Sequence, residues 1–496
     1  MRNITKRIFL TALTCPTLGW LMRQKEEEKS TTITAAEKYQ IEQGLEIGIR
    51  ARALYPDGIL IAARDLDSAV TETTNLMRNK KESTLFEAAF RIDNFTTRAD
   101  IVMRKDDGRW HMIEVKSSVN AKQKFIDDMA YTAMIIERAG FDIATISLLL
   151  ISKAFRLGMP SEKLFVEIDH TDTVKARIEE FKPVCAELEE LTGMREKPEP
   201  KLRFECRSCE LFKDCTGQGI ENHIFDLPRL NQARFEALTE SGIVCIEDIP
   251  PGLPLTGNQV RAKDCVQLKK PHIEARLKTE LETVSWPAYY LDFETVMTAI
   301  PLYLDIAPYT QLPTQYSIHK CSELGLVVKH SEYLTDPGRD CRRDLAGHLI
   351  ADLNGEGSII VYTSFEKTVI SSLARLYPDI SADLNLLIGR LVDLEAIIRK
   401  NFYHPDFLGS TSIKRTLPVL VPEMSYDGLE IGDGYTAMSV FALLALGKYG
   451  ASEAETLKRH LLDYCKQDTF AMVKLHKRLV EYVIYGQINC RVHGER

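Results

Sequence analysis

A chain of 496 residues is long enough for about two to four domains, each able to bury its own core. Its apolar share of 45% and charged share of 27% belong to a globular protein and exclude a disordered or fibrous one. A formal charge of −8 gives the surface as a whole no attraction for a polyanion, so contact with nucleic acid would need local basic grooves.

The chain opens on MRNITKRIFLTALTCPTLGWLM, a basic start with a mostly apolar run. Thr, Cys and Pro interrupt the run, and the following QKEEEKS offers no A-x-A-like site, so we expect no secretory signal. No other segment reaches about eighteen uninterrupted apolar residues, and no membrane span is expected. Cys15, Cys185, Cys245, Cys265, Cys321, Cys341, Cys465 and Cys490 are scattered singly, which fits reduced thiols in a cytoplasmic protein.

Three blocks are expected, 1–222, 223–285 and 286–496. In the first, TRADIVMRKDDGRWHMIEVKSS reads as two strands joined at the DDG turn. A helix, KQKFIDDMAYTAMIIERAG, then ends at Gly140, and the apolar strand ATISLLLISKAF follows. Glu114 and Lys116 are two apart on one strand and share a face, with Asp100 near the first strand of the hairpin. Such carboxylates can hold a divalent cation that polarises a phosphate and activates water, with the Lys stabilising charge. An exposed hairpin with alternating charges is the plainer alternative.

The block closes on RFECRSCELFKDCTG, which places Cys206, Cys209 and Cys215 close together. Three thiols at this spacing call for a metal and for a fourth ligand. The second block reads as helices broken by IPPGLPLTG. Within it, RLNQARFEALTESGIVCIEDIP resembles small helix-hairpin modules that follow nucleic-acid backbones, and a plain helical linker is the favoured reading.

The third block starts with the strand WPAYYLDFETV and continues with strands at PTQYSIHK and LVVKHSEYL. Then come the helix RRDLAGHLIADL, the strand GSIIVYTS, the helix EKTVISSLARLY and a final long helix from ASEAETLKRH to LHKRLVEYV. This order predicts a mixed α/β sheet. Asp292 and Glu294 lie two apart at a strand end, Glu366 stands where a strand passes into a helix, and Tyr464 and Asp468 share a helix face. Convergent carboxylates of this kind suit a two-metal centre for Mg or Mn, with the Tyr hydroxyl orienting water. Taken singly, Glu366 also fits a helix-start carboxylate, and Tyr464 and Asp468 fit the surface of an amphipathic helix. Asp393 is a substitute third carboxylate or a helix N-cap. Lys414 and Arg415, expected in a loop between helices, are candidate phosphate contacts or solvated loop residues.

Two resemblances gather these residues. Asp100, Glu114 and Lys116, with the C-x2-C-x5-C trio, resemble the RecB-type PD-(D/E)XK nucleases, including CRISPR-associated members and AddB. That likeness implies a restriction-endonuclease-like fold and a 4Fe–4S cluster on Cys15, Cys206, Cys209 and Cys215, zinc being the alternative. Two positions depart from the pattern: Gly48 stands where a His is usual, and Asp128 and Tyr131 stand where a Gln is expected.

The strand-end D-x-E, the later strand-to-helix acid and the C-terminal Y-x3-D resemble DnaQ-like DEDD exonucleases of the variety with Tyr, on an RNase H-like fold. Relatives in that superfamily usually carry Asp where Glu366 stands. LDFET with PLYLDIAPYTQLPTQYSIH, FLGSTSIKRTLPVL and LLDYCKQDT also resembles a bacterial family of uncharacterised proteins joining both domains. The implied activity is metal-dependent, 3′-to-5′ removal of nucleotides, from DNA in preference to RNA, in DNA repair or processing of foreign DNA. The C-terminal set is the one expected to cut, because its ligands are all present. No ATP-binding G-x4-G-K-[ST] occurs, so a helicase partner would supply any unwinding. The alternatives are an RNA-trimming enzyme and a binding or assembly protein whose centres have decayed.

Overall fold

The computed structural model describes residues 2–24, 33–79 and 83–492, with side chains of the last helix described up to Ile484. Residues 25–32, which take in most of QKEEEKS, and the Cys490 side chain lie outside the described residues. The chain is mixed α/β and divides into two compact units, Met1–Leu202 with Met297–Thr310, and Arg203–Val296 with Gln311–Arg496. No described helix is long and apolar enough to cross a membrane.

The first unit contains β1 (Ile4–Thr5), β2 (Ile59–Leu60), β3 (Thr84–Ile92), β4 (Phe95–Arg104), β5 (Trp110–Lys116), β6 (Ile143–Ile151) and β7 (Phe165–Asp169). Their order is β2-β3-β4-β5-β6-β7, with β1 pairing against β4. Strands β3, β4 and β5 form an antiparallel meander, and the helix Gln123–Arg138 then crosses to β6, which lies parallel to β5. The turn and the helix stop fall where the sequence places them, with Gly108 and Gly140 at φ +86° and +90°. The apolar N-terminal run folds into two helices, Lys6–Thr14 and Pro16–Gln24. Its Phe9 is fully buried, with ring centroids 5.0 Å from Tyr131, 5.1 Å from Phe181 and 6.4 Å from Phe95. Burial in the core thus accounts for the run's apolarity. The segment Met297–Thr310 belongs to this unit as well, where Ala299 is buried with Ile47, Ile151, Phe155 and Leu164.

The second unit contains β8 (His272–Ile273), β9 (Ala288–Val296), β10 (Leu312–Glu323), β11 (Leu326–Leu334), β12 (Ile359–Val361), β13 (Leu391–Asp393) and β14 (Phe402–Tyr403). Five of these form a sheet in the order β11-β10-β9-β12-β13, while β8 pairs with β14. Strands β9, β10 and β11 are antiparallel, whereas β12 runs parallel to β9 and β13 parallel to β12. Alternation along β9 assigns its two faces. Tyr289, Leu291 and Phe293 pack with the helices Arg342–Asp352 and Phe365–Leu376. Tyr290 points to the other face, where it hydrogen-bonds His476 of the long helix Ala451–Val492 at 2.9 Å. Asp292 and Glu294 follow Tyr290 in that alternation and meet the same helix.

The helices expected over 223–285 form at Gln232–Glu240, Gly257–Leu268 and Arg276–Leu281. They do not act as a spacer between the units. Ala262, Cys265, Leu277 and Leu281 are buried in one core with Ile398, Phe402, Leu417 and Leu475, because their apolar faces need cover. The division between units also falls after Leu202, before the cysteine trio, and not at 222.

Gly357 leads into β12 at φ +98°, and a Cβ there would lie 1.9 Å from the Pro287 carbonyl oxygen. Backbone cannot yield as a flexible side chain does. Gly357→Ala is expected to destabilise the second unit by about 2–4 kcal/mol, read as a lower denaturant midpoint.

Candidate metal centre

Pairing between β12 and β9 stops at Tyr290, so Asp292 and Glu294 lie beyond that ladder on the side where β12 gives way to the helix Phe365–Leu376. Asp468 reaches them from the long helix. Ligand oxygens of Asp292, Glu294 and Asp468 all lie within 4.8 Å of one another, and this is the only such group of three among the described residues. Glu366, in the first turn of its helix, is 2% exposed, and its Oε2 is buried without a hydrogen-bond partner. Asp292 and Glu294 are half-buried and keep an opening to solvent; Asp468 is buried.

The electrostatics follow from that crowding. Burial, then the charges of Asp468, Glu294 and Glu366, push the Asp292 carboxyl well above the usual carboxylate range. Burial and Asp468 do the same to Glu294, partly offset by the Lys414 ammonium. Burial lifts Glu366 to about 7, with Asp393 and its negative charge adding to the rise. Burial raises Asp468 as well, but only to about 6, because the Tyr426 and Tyr464 hydroxyls donate to it. Four carboxyls in one pocket, with an unpartnered oxygen among them, form a donor set that fits divalent cations such as Mg or Mn. The thiol of Cys465 touches the Asp292 carboxylate at 3.6 Å.

The other sequence candidates fall as follows. Tyr464 is 4% exposed and stands beside Asp468 in the pocket, so the surface-helix alternative does not hold for this pair. Asp393 is the N-cap of the helix Leu394–Asn401, accepting from the Ala396 amide at 2.8 Å, while its charge still reaches Glu366. Lys414 and Arg415 are not loop residues: they sit in the first turn of the helix Ile413–Leu420. Lys414 bonds the Gly432 carbonyl at 2.7 Å and lies over the rings of Tyr426 and Tyr464 at 5.8 and 6.0 Å. Arg415 instead faces Asp226. Sequence reasoning missed Tyr426, whose hydroxyl donates to Asp468 Oδ1, and Gly434, where a Cβ would stand 3.6 Å from Glu294 Oε2. Tyr426 lies in an irregular stretch with no periodicity to mark it, and Gly434 opens the helix Gly434–Ala445, where no sequence signal ties it to Glu294.

In the first unit Glu114 and Lys116 do share a face, with Lys116 Nζ 2.9 Å from Glu114 Oε1. A second ammonium, that of Lys6, holds the same oxygen at 2.9 Å, and Lys116 also pairs with Asp128 at 2.6 Å. Burial alone would raise the Glu114 carboxyl, but the two lysines outweigh it and hold it low. Asp100 accepts from the Val115 amide at 2.7 Å, and burial together with the charge of Glu114 lifts it to about 7. Gly48, Asp100 and Lys116 line one cleft of about 210 Å³. Tyr131, in place of the expected Gln, is fully buried and donates to the carbonyls of Ile4 and Thr96.

Cys15 caps the helix Lys6–Thr14 in the first unit. In the second unit Cys206 lies in the short 3-10 turn Phe204–Ser208, Cys209 ends that turn and Cys215 ends the next, Phe212–Asp214; all three are partly exposed. The ring of Phe212 sets the second turn by packing on His223 and Phe225 at 4.9 and 5.2 Å.

Two comparisons with known proteins bear on the chain. No curated protein matches it. Residues 289–412, which carry Asp292, Glu294 and Glu366, match a family described as "Domain of unknown function (DUF2779)".

Proposed function

We propose that the second unit is a metal-dependent nuclease that removes nucleotides from the 3′ end of a DNA strand. The observation that carries this reading is the convergence of Asp292, Glu294 and Asp468 within ligand distance, with Glu366 beside them. The strand order β11-β10-β9-β12-β13, antiparallel on one side and parallel on the other, supports an RNase H-like fold. In the first unit the meander, crossover helix and parallel strand support a PD-(D/E)XK fold.

Asp292, Glu294, Asp468 and Glu366 would hold the ions. Mg or Mn there would supply Lewis-acid polarisation of the phosphate and a bound water that is easier to deprotonate. The Tyr464 hydroxyl, beside Asp468, is placed to orient that water. The Lys414 ammonium, exposed at the rim, is placed to meet a phosphate oxygen. Glu366, lifted to about 7 by burial and the charge of Asp393, would be drawn to its charged form by a cation in the pocket.

The test is an end-labelled strand incubated with Mn²⁺ or Mg²⁺, as single-stranded DNA, duplex DNA and RNA. Metal-dependent shortening from the 3′ end of DNA is expected. Intact substrate under all conditions would leave the alternative of a nucleic-acid-binding protein with decayed centres.

We also read Cys206, Cys209 and Cys215 as ligands of a 4Fe–4S cluster, on the strength of the C-x2-C-x5-C spacing and the partial exposure of all three thiols. Protein purified without oxygen is expected to be brown and to contain iron, and Cys209→Ser to lose both. A colourless preparation holding zinc would replace the cluster by a zinc site.

A further inference from the structure

We propose that Tyr426 is a positioning residue of the metal centre: its hydroxyl fixes the Asp468 carboxylate in the orientation that brings it to Asp292 and Glu294. The proposal rests on the nuclease reading. Two phenols meet Asp468, and they come from different places. Tyr464 stands one turn earlier on the same helix, near the charges of Asp468, Glu294 and Asp292. Tyr426 comes from the irregular stretch between the helices Ile413–Leu420 and Gly434–Ala445, on the side of Asp292 and Tyr362.

That stretch is pinned at both ends. Gln467, next to Asp468, donates to the Ser425 carbonyl at 2.9 Å, and Lys414 donates to the Gly432 carbonyl at 2.7 Å. The Tyr426 ring is held 6.3 Å from that of Tyr464. A carboxylate has several lone-pair directions, and one fixed donor on Oδ1 narrows the orientations it can take. Partners of this kind orient metal ligands, and their loss weakens metal binding by about 10–100-fold. Tyr464 duplicates the donation but is tied to the same rigid helix as Asp468, so it cannot hold that side chain against a separate element. The two tyrosines therefore divide the work, Tyr426 on the ligand and Tyr464 on the water.

The experiment measures Mn²⁺ binding to the full chain by electron paramagnetic resonance, without substrate, beside the rate of strand shortening against Mn²⁺ concentration. Tyr426→Phe keeps the ring under Lys414 and removes only the hydroxyl. It is expected to weaken Mn²⁺ binding by about tenfold or more, with the rate recovering at saturating Mn²⁺. Tyr464→Phe is expected to bind Mn²⁺ like the wild type and to stay slow at saturation. Gln467→Ala, which frees the stretch without touching Asp468, is expected to reproduce part of the Tyr426→Phe effect and guards against a folding defect. Unchanged Mn²⁺ binding in Tyr426→Phe, or equal weakening in both tyrosine variants, overturns the proposal. If the wild type binds Mn²⁺ and the variants separate as stated but no strand is shortened, the nuclease reading alone fails. If the wild type binds no Mn²⁺, both fail together.

Discussion

Glu294→Ala is expected to lower metal-dependent strand shortening by about 10³-fold or more, whereas Glu114→Ala leaves the products unchanged. Several kcal/mol of transition-state stabilisation rest on correctly held ions, and each factor of ten in rate is about 1.4 kcal/mol. Glu294 is one of three ligands drawn within 4.8 Å, and only Lys414 offsets its charge among its near neighbours. Its carboxylate is therefore available to a cation. Glu114 has both Lys6 and Lys116 on its Oε1, while its Oε2 is buried without a partner, and the two ammonium groups keep it ionised without help from a metal. Removing it breaks an ion-pair network, which lowers stability without touching the other centre. The readout is the product ladder of the end-labelled strand for each variant, together with the melting temperature. Loss of products in Glu114→Ala alone would reverse the assignment of activity between the two centres.

The second large effect is on stability, and it concerns the metal-free protein. Asp468 and Glu366 titrate in the fold at about 6 and about 7, and Asp292 and Glu294 higher than usual, against about 4 for exposed carboxyls. Between those limits the folded chain keeps protons that the unfolded chain releases. Stability from this centre is therefore complete below the ordinary carboxylate range and falls as pH rises toward 7 and beyond. With chelator present, the melting temperature is expected to drop from about pH 5 to about pH 8. The buried carboxyls together are worth a few kcal/mol. Adding Mn²⁺ at the higher pH should recover most of the loss, and Asp292→Asn should flatten the slope and raise the metal-free melting temperature. Glu114 acts in the opposite sense, because its low value contributes stability that is lost on acidification. A melting temperature that stays level over this range, or rises with pH, would remove the picture of a centre held together against its own charge.

Much of this was legible in the residues, for definite reasons. Alternation along β9 put Asp292 and Glu294 on one face, and helical spacing put Tyr464 beside Asp468; short-range periodicity suffices for both. The DDG hairpin and the stop at Gly140 were readable because Gly tolerates a positive φ. Tyr426 was not readable, because its approach to Asp468 depends on a stretch without regular structure, fixed by single contacts from Gln467 and Lys414. Lys6 was hidden for a different reason. Its partner Glu114 lies 108 residues away, and nothing local marks Lys6 as more than the basic start of an apolar run. The helices of 223–285 were correctly expected as helices, yet their role as core elements depended on apolar faces meeting residues from the far end of the chain.

The excursion of Met297–Thr310 has a practical consequence. The polypeptide passes between the two units three times, at 202/203, 296/297 and 310/311. No single truncation of the gene can therefore yield either unit whole. A fragment stopping at 202 lacks Ala299, whose place among Ile47, Ile151, Phe155 and Leu164 is left empty, while one beginning at 203 carries the segment 297–310 without the core that buries its Ala299. Separating the roles of the two units thus calls for point variants, or for a fusion that splices 297–310 directly onto 1–202.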